Sequence, residues 1–364
     1  MIKKYIFKIL SKRRNMREYN MSIKTNEQYN NLDLFKFTFA IVVVMIHTTP
    51  LKDISDNVNW YFSNTFCNMA VPFFFVTSGF LFFNKLQGLS ETDEKSRLKK
   101  YVLHIIRMYL VWCVIWIPWK ALNFYNSGHF NLSDAAGYIW NVIFVSGGDA
   151  LWYLNALAFS IVLVYFLYKK VGCVPTLLIA SIVYIIGVMI SSWYNIFGNN
   201  HIGNLYYTLF NTTDNGLFTG FIYVSVGMVI AIKKCTNSLI SWILSGMVFA
   251  ALVAEAVLIR NCALNRDNVC NLFTMPIFVY FLFCGILSIN CKGNNYLYLR
   301  NYSTLIYLVH TFIIRCLKLL LGVIKVNLPN TIMFLTVLIL SLGFAVTIDY
   351  MARVKKFGWC RLLY

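Results

Sequence analysis

Ten times along this chain an apolar stretch of about 17–23 residues recurs, and that repetition limits the fold more than anything else. At 1.5 Å per helical residue each stretch is long enough to cross a hydrocarbon core of about 30 Å. The ten run Leu34–Pro50, Phe62–Phe83, Tyr101–Ala121, Leu151–Tyr168, Val174–Trp193, Gly216–Ile232, Ser238–Ile259, Leu272–Asn290, Tyr302–Ile324 and Thr331–Ala352. Lipid offers no partner for backbone amides and carbonyls, so spans of this length are helices that satisfy themselves. The expected class is therefore all-α: a polytopic membrane protein with ten transmembrane helices. Asp149 and Asp214 crowd the starts of the fourth and sixth spans, and Ile139–Val145 reads as a short interfacial helix.

Composition agrees. Apolar residues make up 59% of the 364 and charged ones only 13%, against about 25% charged in a soluble domain. That excludes a disordered chain, a coiled coil and a small disulfide scaffold. The remaining charge is lopsided, 32 Lys and Arg against 14 Asp and Glu. Such an excess can mark a nucleic-acid binder or record membrane topology. Sorting it by loop decides between them. With the N-terminus inside, twenty-three basic residues fall on the inner side, five on the outer side and four within spans. This bias predicts both termini in the cytoplasm and no nucleic-acid partner. The expected organisation is a basic interfacial segment over 1–30, a membrane domain over 31–352 and a basic cytoplasmic tail over 353–364. The opening MIKKYIFKILSKRRNMREY has too short an apolar part for a signal peptide. It reads as a cationic helix lying on anionic lipid. No soluble domain is expected at either end.

The ten cysteines show neither a CxxC pair nor a zinc spacing, and no metal is expected. Cys262 and Cys270 share one outer loop, where a disulfide is one option and two free thiols the other.

Ionisable groups inside spans are costly and draw attention to function. Lys36 and His47 lie eleven residues apart in the first span. That separation returns to within about 20° of the same helix face and spans about 16 Å. An imidazole there is either a general base or a hydrogen-bonding group between helices. Asp33 is placed to pair with Lys36 at i,i+3. Ser78–Gly79 suits close helix packing better than it suits a nucleophile. Trp152 and Tyr153 fit an interfacial aromatic belt, or a surface for stacking on a sugar ring. Glu255, close to Arg260, has a structural or an acceptor-binding reading. Asp349 and Arg353 form an i,i+4 pair, and His310 with Arg315 reads as a buried basic pair lining a cavity.

These residues also carry a resemblance. A basic residue, ten residues, then His, with Asp33 ahead of it, resembles the signature of the acyltransferase-3 family of integral membrane O-acyltransferases. AVPFFFVTSGFLFF (Ala70–Phe83), RLKKYVLHIIRMYLVW (Arg97–Trp112), LWYLNAL (Leu151–Leu157) and STLIYLVH (Ser303–His310) are similar to later segments of that family, in the same order. HTTP after the first span, LWYL and TDNGLFTGFIYVSVG (Thr213–Gly227) look most like the membrane half of the vancomycin-resistance membrane-bound serine racemases. Those proteins carry a soluble racemase domain after the membrane part. No such domain is expected after Tyr364, and racemisation is not expected.

The resemblance implies an enzyme that moves an acyl group, expected to be acetyl, from cytoplasmic acetyl-CoA or another acyl-CoA. The acceptor would be a hydroxyl of an extracytoplasmic cell-envelope glycan or glycolipid, at the cytoplasmic membrane of a bacterium. It implies His47 and Asp33 as catalytic residues and Lys36, Arg107, Arg97, Lys100 and His104 as donor-binding residues. Trp152, Tyr153, Glu255, His310 and Arg315 would face the acceptor. Two positions depart from the family's pattern: Lys36 stands where Arg is usual, and His104 replaces the first Arg of an Arg-x-x-Arg. Lysine is a point charge without the guanidinium's fork, so its pairing with a phosphate or carboxylate is expected to be less directional. A transporter of a small polar solute such as an amino acid is the rival reading, and a membrane scaffold docking through its basic N-terminus a third. Lys36 and His47 on one helix face favour the enzyme, because a scaffold needs neither.

Overall fold

The computed structural model describes residues 29–127, 132–235, 237–266, 271–292 and 296–364, and every regular element among them is helical. The helices are α1 (Asn30–Thr48), α2 (Asp56–Asn64), α3 (Ala70–Asn84), α4 (Glu91–Ser127), α5 (Leu132–Trp140), α6 (Trp152–Val171) and α7 (Cys173–Ser191). They continue as α8 (His201–Phe210), α9 (Phe221–Lys233), α10 (Ser238–Asn261), α11 (Met275–Leu287), α12 (Tyr296–Ile324) and α13 (Asn330–Arg353). Most of the basic segment expected at 1–30, up to Gln28, lies outside the described residues, as does Cys270.

Nine helical segments among the described residues are long and apolar enough to cross a membrane. Their outer faces are greasy in stripes. Leu178, Ile182 and Ile186 on α7 are exposed at helical spacing, as are Leu335, Ile339 and Val346 on α13. Apolar ridges of that kind on helices of span length suit a lipid-facing surface. The chain is a multi-pass, all-α membrane protein.

Three predicted spans differ in detail, each for a local reason. The second is interrupted between Asn64 and Ala70 by a 3₁₀ turn at Cys67–Met69. Pro72 brings no amide to this stretch, and the Asn64 and Thr65 side chains bond back to the carbonyls of Trp60 and Tyr61 at 3.0 and 2.7 Å. The third is longer than its apolar core, since α4 runs 37 residues, starting at Glu91. Ser90 accepts from the Asp93 amide at 3.2 Å, and Glu91, Asp93 and Glu94 fill the first turn, where the helix dipole favours acids. The eighth is only the 13-residue α11, about 20 Å long. Pro276 opens it and Glu255 of α10 caps it: the carboxylate accepts from the Phe273 amide at 2.8 Å and the Thr274 amide at 3.1 Å.

The core is built on close crossings. α3 and α9 share the most extensive contact among the described helices, and α12 lies along α1. A Cβ on Gly79 would stand 2.6 Å from the Val224 carbonyl oxygen, and one on Gly227 would stand 2.6 Å from the Phe80 nitrogen. Both glycines are therefore required for the backbones to approach. The α1–α12 contact sets Lys36 and His47 against the residues of α12 that matter most for chemistry. After α13 the chain turns back as a 3₁₀ run over Lys355–Leu363, where Cys360 and Leu363 are buried and the Trp112 indole donates to the Leu363 carbonyl at 3.0 Å.

Candidate active site

A cavity of about 930 Å³ opens among α1, α3, α4, α6 and α12. One end is basic: Lys36, Lys85, Arg97, Lys100 and Arg300 line it, with His104. The other end is aromatic, where Phe74, Tyr153 and Tyr307 pack with ring centroids 5.4–6.1 Å apart. Leu81, Phe82, Leu154 and Leu157 supply apolar wall between them. The helices dictate this polarity. Along α12 the lining runs from Arg300 through Ser303 and Thr304 to Tyr307, two turns of one face.

Two cavity cations, Lys85 and Arg300, were not expected as site residues, and Arg300 is the one held by a buried carboxylate. It is placed by Asp33, which is buried on α1. Arg300 Nε donates to Asp33 Oδ1 and Nη2 to Oδ2, both at 2.9 Å. Fork-to-fork pairing of this kind fixes direction as well as distance. Asp33 was expected beside Lys36; the structure commits both its oxygens to Arg300 instead, and the half-buried Lys36 faces the cavity. A basic residue 267 positions away in sequence gave no local signal.

Of the other expected donor residues, Arg97, Lys100 and His104 line the cavity, while Arg107 is exposed outside it. Arg107 Nη2 reaches His104 Nδ1 at 3.2 Å. A guanidinium only donates, so this bond makes His104 Nδ1 the acceptor and leaves the ring's proton on Nε2. Arg97 Nη1 donates to the Lys85 carbonyl at 3.3 Å, tying α4 to the end of α3.

His47 lies beyond the aromatic end. Its ring is exposed, 5.0 Å between centroids from the fully buried ring of His310. His310 is in turn 6.0 Å from Tyr307, whose hydroxyl donates to the Ala150 carbonyl at 2.9 Å. The cavity and the histidine pair are thus separated by the thickness of one aromatic layer. Arg315, expected to join His310, pairs instead with Asp149, Nε to Oδ2 at 2.7 Å.

The expected acceptor residues divide. Tyr153 is buried, lines the cavity and lies 3.1 Å from the Ser78 hydroxyl. Trp152 is half-buried against Phe75 at 6.1 Å and outside the cavity. Glu255 is spent capping α11, and Arg260 stands over the Trp60 ring at 4.9 Å.

The acyltransferase-3 family model, an acyltransferase domain, matches residues 29–350. The chain belongs to the acyltransferase-3 family. It is also similar to an amino-acid racemase of Enterococcus faecalis, 34% identical over 207 residues, which is 56% of this chain and 28% of that protein. A serine/alanine racemase of Enterococcus gallinarum is 26% identical over 318 residues, 86% of this chain and 45% of its own length. The chain thus spans less than half the length of these relatives. No solved structure matches it. The acyltransferase-3 domain takes in the cavity walls from Lys36 to Tyr307 as well as His47 and His310.

Proposed function

We propose that this protein transfers an acyl group, acetyl being the simplest, from an acyl-CoA bound at the basic end of the cavity to a hydroxyl of a cell-envelope glycan or glycolipid. The observation that carries this reading is the graded cavity: clustered cations at one end, an apolar wall, and a histidine pair just past the other end. Its volume, about 930 Å³, is near the top of the range for small-molecule sites. Phosphates suit Lys36, Lys85, Arg97, Lys100 and Arg300, and an extended thioester arm suits the Phe74–Leu157 wall. With the basic end toward the cytoplasm of a bacterial membrane and both termini on that side, the donor enters from within and the acceptor meets the exposed ring of His47 from the opposite side.

In this reading His47 takes the proton of the acceptor hydroxyl as its oxygen attacks the thioester carbonyl. The new C–O bond forms, the C–S bond breaks, and the proton passes to the departing CoA sulfur. Transfer through an acyl-histidine uses the same residue in two steps.

The test is acetyl-CoA-dependent CoA release by purified protein supplied with crude envelope glycans. Wild-type protein releases CoA, and His47→Ala, folded and inserted, does not. Wild-type turnover by His47→Ala removes His47 from the chemistry. Absence of release from wild-type protein, with saturable solute uptake in liposomes, favours a carrier instead.

A further inference from the structure

We infer that His310 is a positioning residue for His47, accepting an N–H from it and so setting which of its nitrogens is free to act as base. This rests on the acyl-transfer reading of His47 and adds a role for the residue beneath it.

The argument begins with one hydrogen bond. His310 Nδ1 is 3.1 Å from the carbonyl oxygen of Ile306, one turn earlier in α12. A carbonyl only accepts, so Nδ1 carries the proton, and in the neutral ring Nε2 is left as a lone pair. That Nε2 is fully buried and has no hydrogen-bond partner. A buried acceptor without a donor is costly, and such an atom in a native site calls for an explanation.

The surroundings narrow the choice of donor. The Tyr307 hydroxyl is committed to the Ala150 carbonyl at 2.9 Å. The charged groups whose fields reach His47, Asp149 and Arg315, are paired with each other at 2.7 Å. The imidazole that faces His310 is that of His47, its ring 5.0 Å away and tilted by 48°. That spacing leaves room for the facing nitrogens to meet within hydrogen-bond reach after rotation of the His47 side chain.

Once the bond forms, His47 has its proton on the side of His310 and its lone pair on the exposed side, where a hydroxyl can be deprotonated. This is the service a carboxylate performs for the imidazole of a hydrolytic triad, here supplied by a neutral ring suited to an apolar bundle. When His47 takes up the substrate proton, His310 Nε2 keeps its acceptor role, and no proton moves between the two rings before His47 passes its own to the departing CoA sulfur.

The test compares His310→Leu, which keeps an apolar filling, with His310→Gln, whose amide oxygen restores an acceptor near Nε2. Rates are measured with acetyl-CoA and envelope glycans. In His310→Leu, kcat falls by roughly 10²–10⁴-fold, the span seen when the group orienting a functional imidazole is lost. KM values for both substrates stay within about 3-fold, and His310→Gln recovers at least about tenfold of the loss. Independently of turnover, ¹⁵N-histidine spectra in detergent report the tautomer of His47, assigned by its disappearance in His47→Ala. One tautomer dominates in wild type and in His310→Gln, and a mixture appears in His310→Leu. An unchanged His47 tautomer in folded His310→Leu overturns the proposal, as does a kcat equal to wild type. If wild-type protein transfers no acetyl group, the acyl-transfer reading fails by that result, and the tautomer still decides the pairing.

Discussion

Asp33 holds Arg300 by two parallel hydrogen bonds of 2.9 Å, one to each carboxylate oxygen. The carboxylate is buried and the guanidinium half-exposed into the cavity. Nε and one Nη2 proton are used in the pair, so the Nη1 edge is what Arg300 presents to a bound anion. This supplies the directional fork that Lys36 lacks in α1 and that His104 lacks in α4. For a phosphorylated donor, Arg300→Ala raises KM for acetyl-CoA about 10–100-fold with kcat within about 3-fold, the pattern of lost uniform binding. Asp33→Asn moves KM the same way by less, because the guanidinium remains but is no longer aimed. Initial rates across acetyl-CoA concentrations check both. A kcat collapse at unchanged KM in Asp33→Asn returns Asp33 to the chemistry itself.

The α3–α9 crossing predicts a different kind of loss. A Cβ at Gly79 meets the Val224 carbonyl at 2.6 Å, and backbone atoms cannot swing aside as a side chain does. Gly79→Ala costs about 1–3 kcal/mol through overpacking, seen as a lower melting temperature in detergent. Ser78, one residue earlier, lines the cavity and contacts Tyr153 at 3.1 Å. Ser78→Ala leaves the melting temperature close to wild type. Equal loss in the two variants contradicts the assignment of close packing to the glycine.

What the sequence reveals here follows from range. Spans are set by local apolar runs, so the all-α class and the span helices were legible, as was the Lys36–His47 alignment, which needs only the helical repeat, whereas α5 and α8 fall in stretches that read as outer loops. Gly79 was legible as a packing residue for the same reason. Arg300 was not: it reads as one more loop cation until α12 is laid along α1 and Asp33 meets it. The neighbours of His310 were hidden in the same way. Arg315 lies five residues away in sequence and pairs with Asp149, whereas His47 lies on another helix and faces the ring. The short α11 was misjudged because an apolar run of span length does not disclose that Pro276 and Glu255 start the helix late.

Glu255 gives a sharp contrast with the cavity residues. Its oxygens accept from the Phe273 amide, the Thr274 amide and the Thr274 hydroxyl at 2.8, 3.1 and 2.8 Å. Removing a charged acceptor from partly buried amides costs about 1–3 kcal/mol. Glu255→Ala lowers the melting temperature, Glu255→Gln loses less, and neither changes KM for donor or acceptor in the protein that remains folded. A rise in acceptor KM in Glu255→Gln at unaltered stability assigns the residue to a substrate instead.

Asp53, in the 3₁₀ turn after α1, caps α13 from outside that helix. Its Oδ2 accepts from the Thr331 amide at 2.7 Å and its Oδ1 from the Asn330 amide at 3.0 Å. These amides, Thr331 first, hold the carboxyl below its ordinary value, with the Thr331 hydroxyl and Asn330 side chain adding to the effect. A carboxyl lowered by folding stabilises the folded state fully above its ordinary value of about 3.9 and stops doing so as pH falls through the lower folded value. Asp53→Ala therefore melts at a lower temperature than wild type at pH 7, and the two curves converge as the pH is taken below about 4. The group is exposed, so the effect is small, and added salt narrows it. Thermal unfolding of both proteins in detergent from pH 7 down to pH 3 checks this. A gap that stays constant over that range means that Asp53 acts by packing alone.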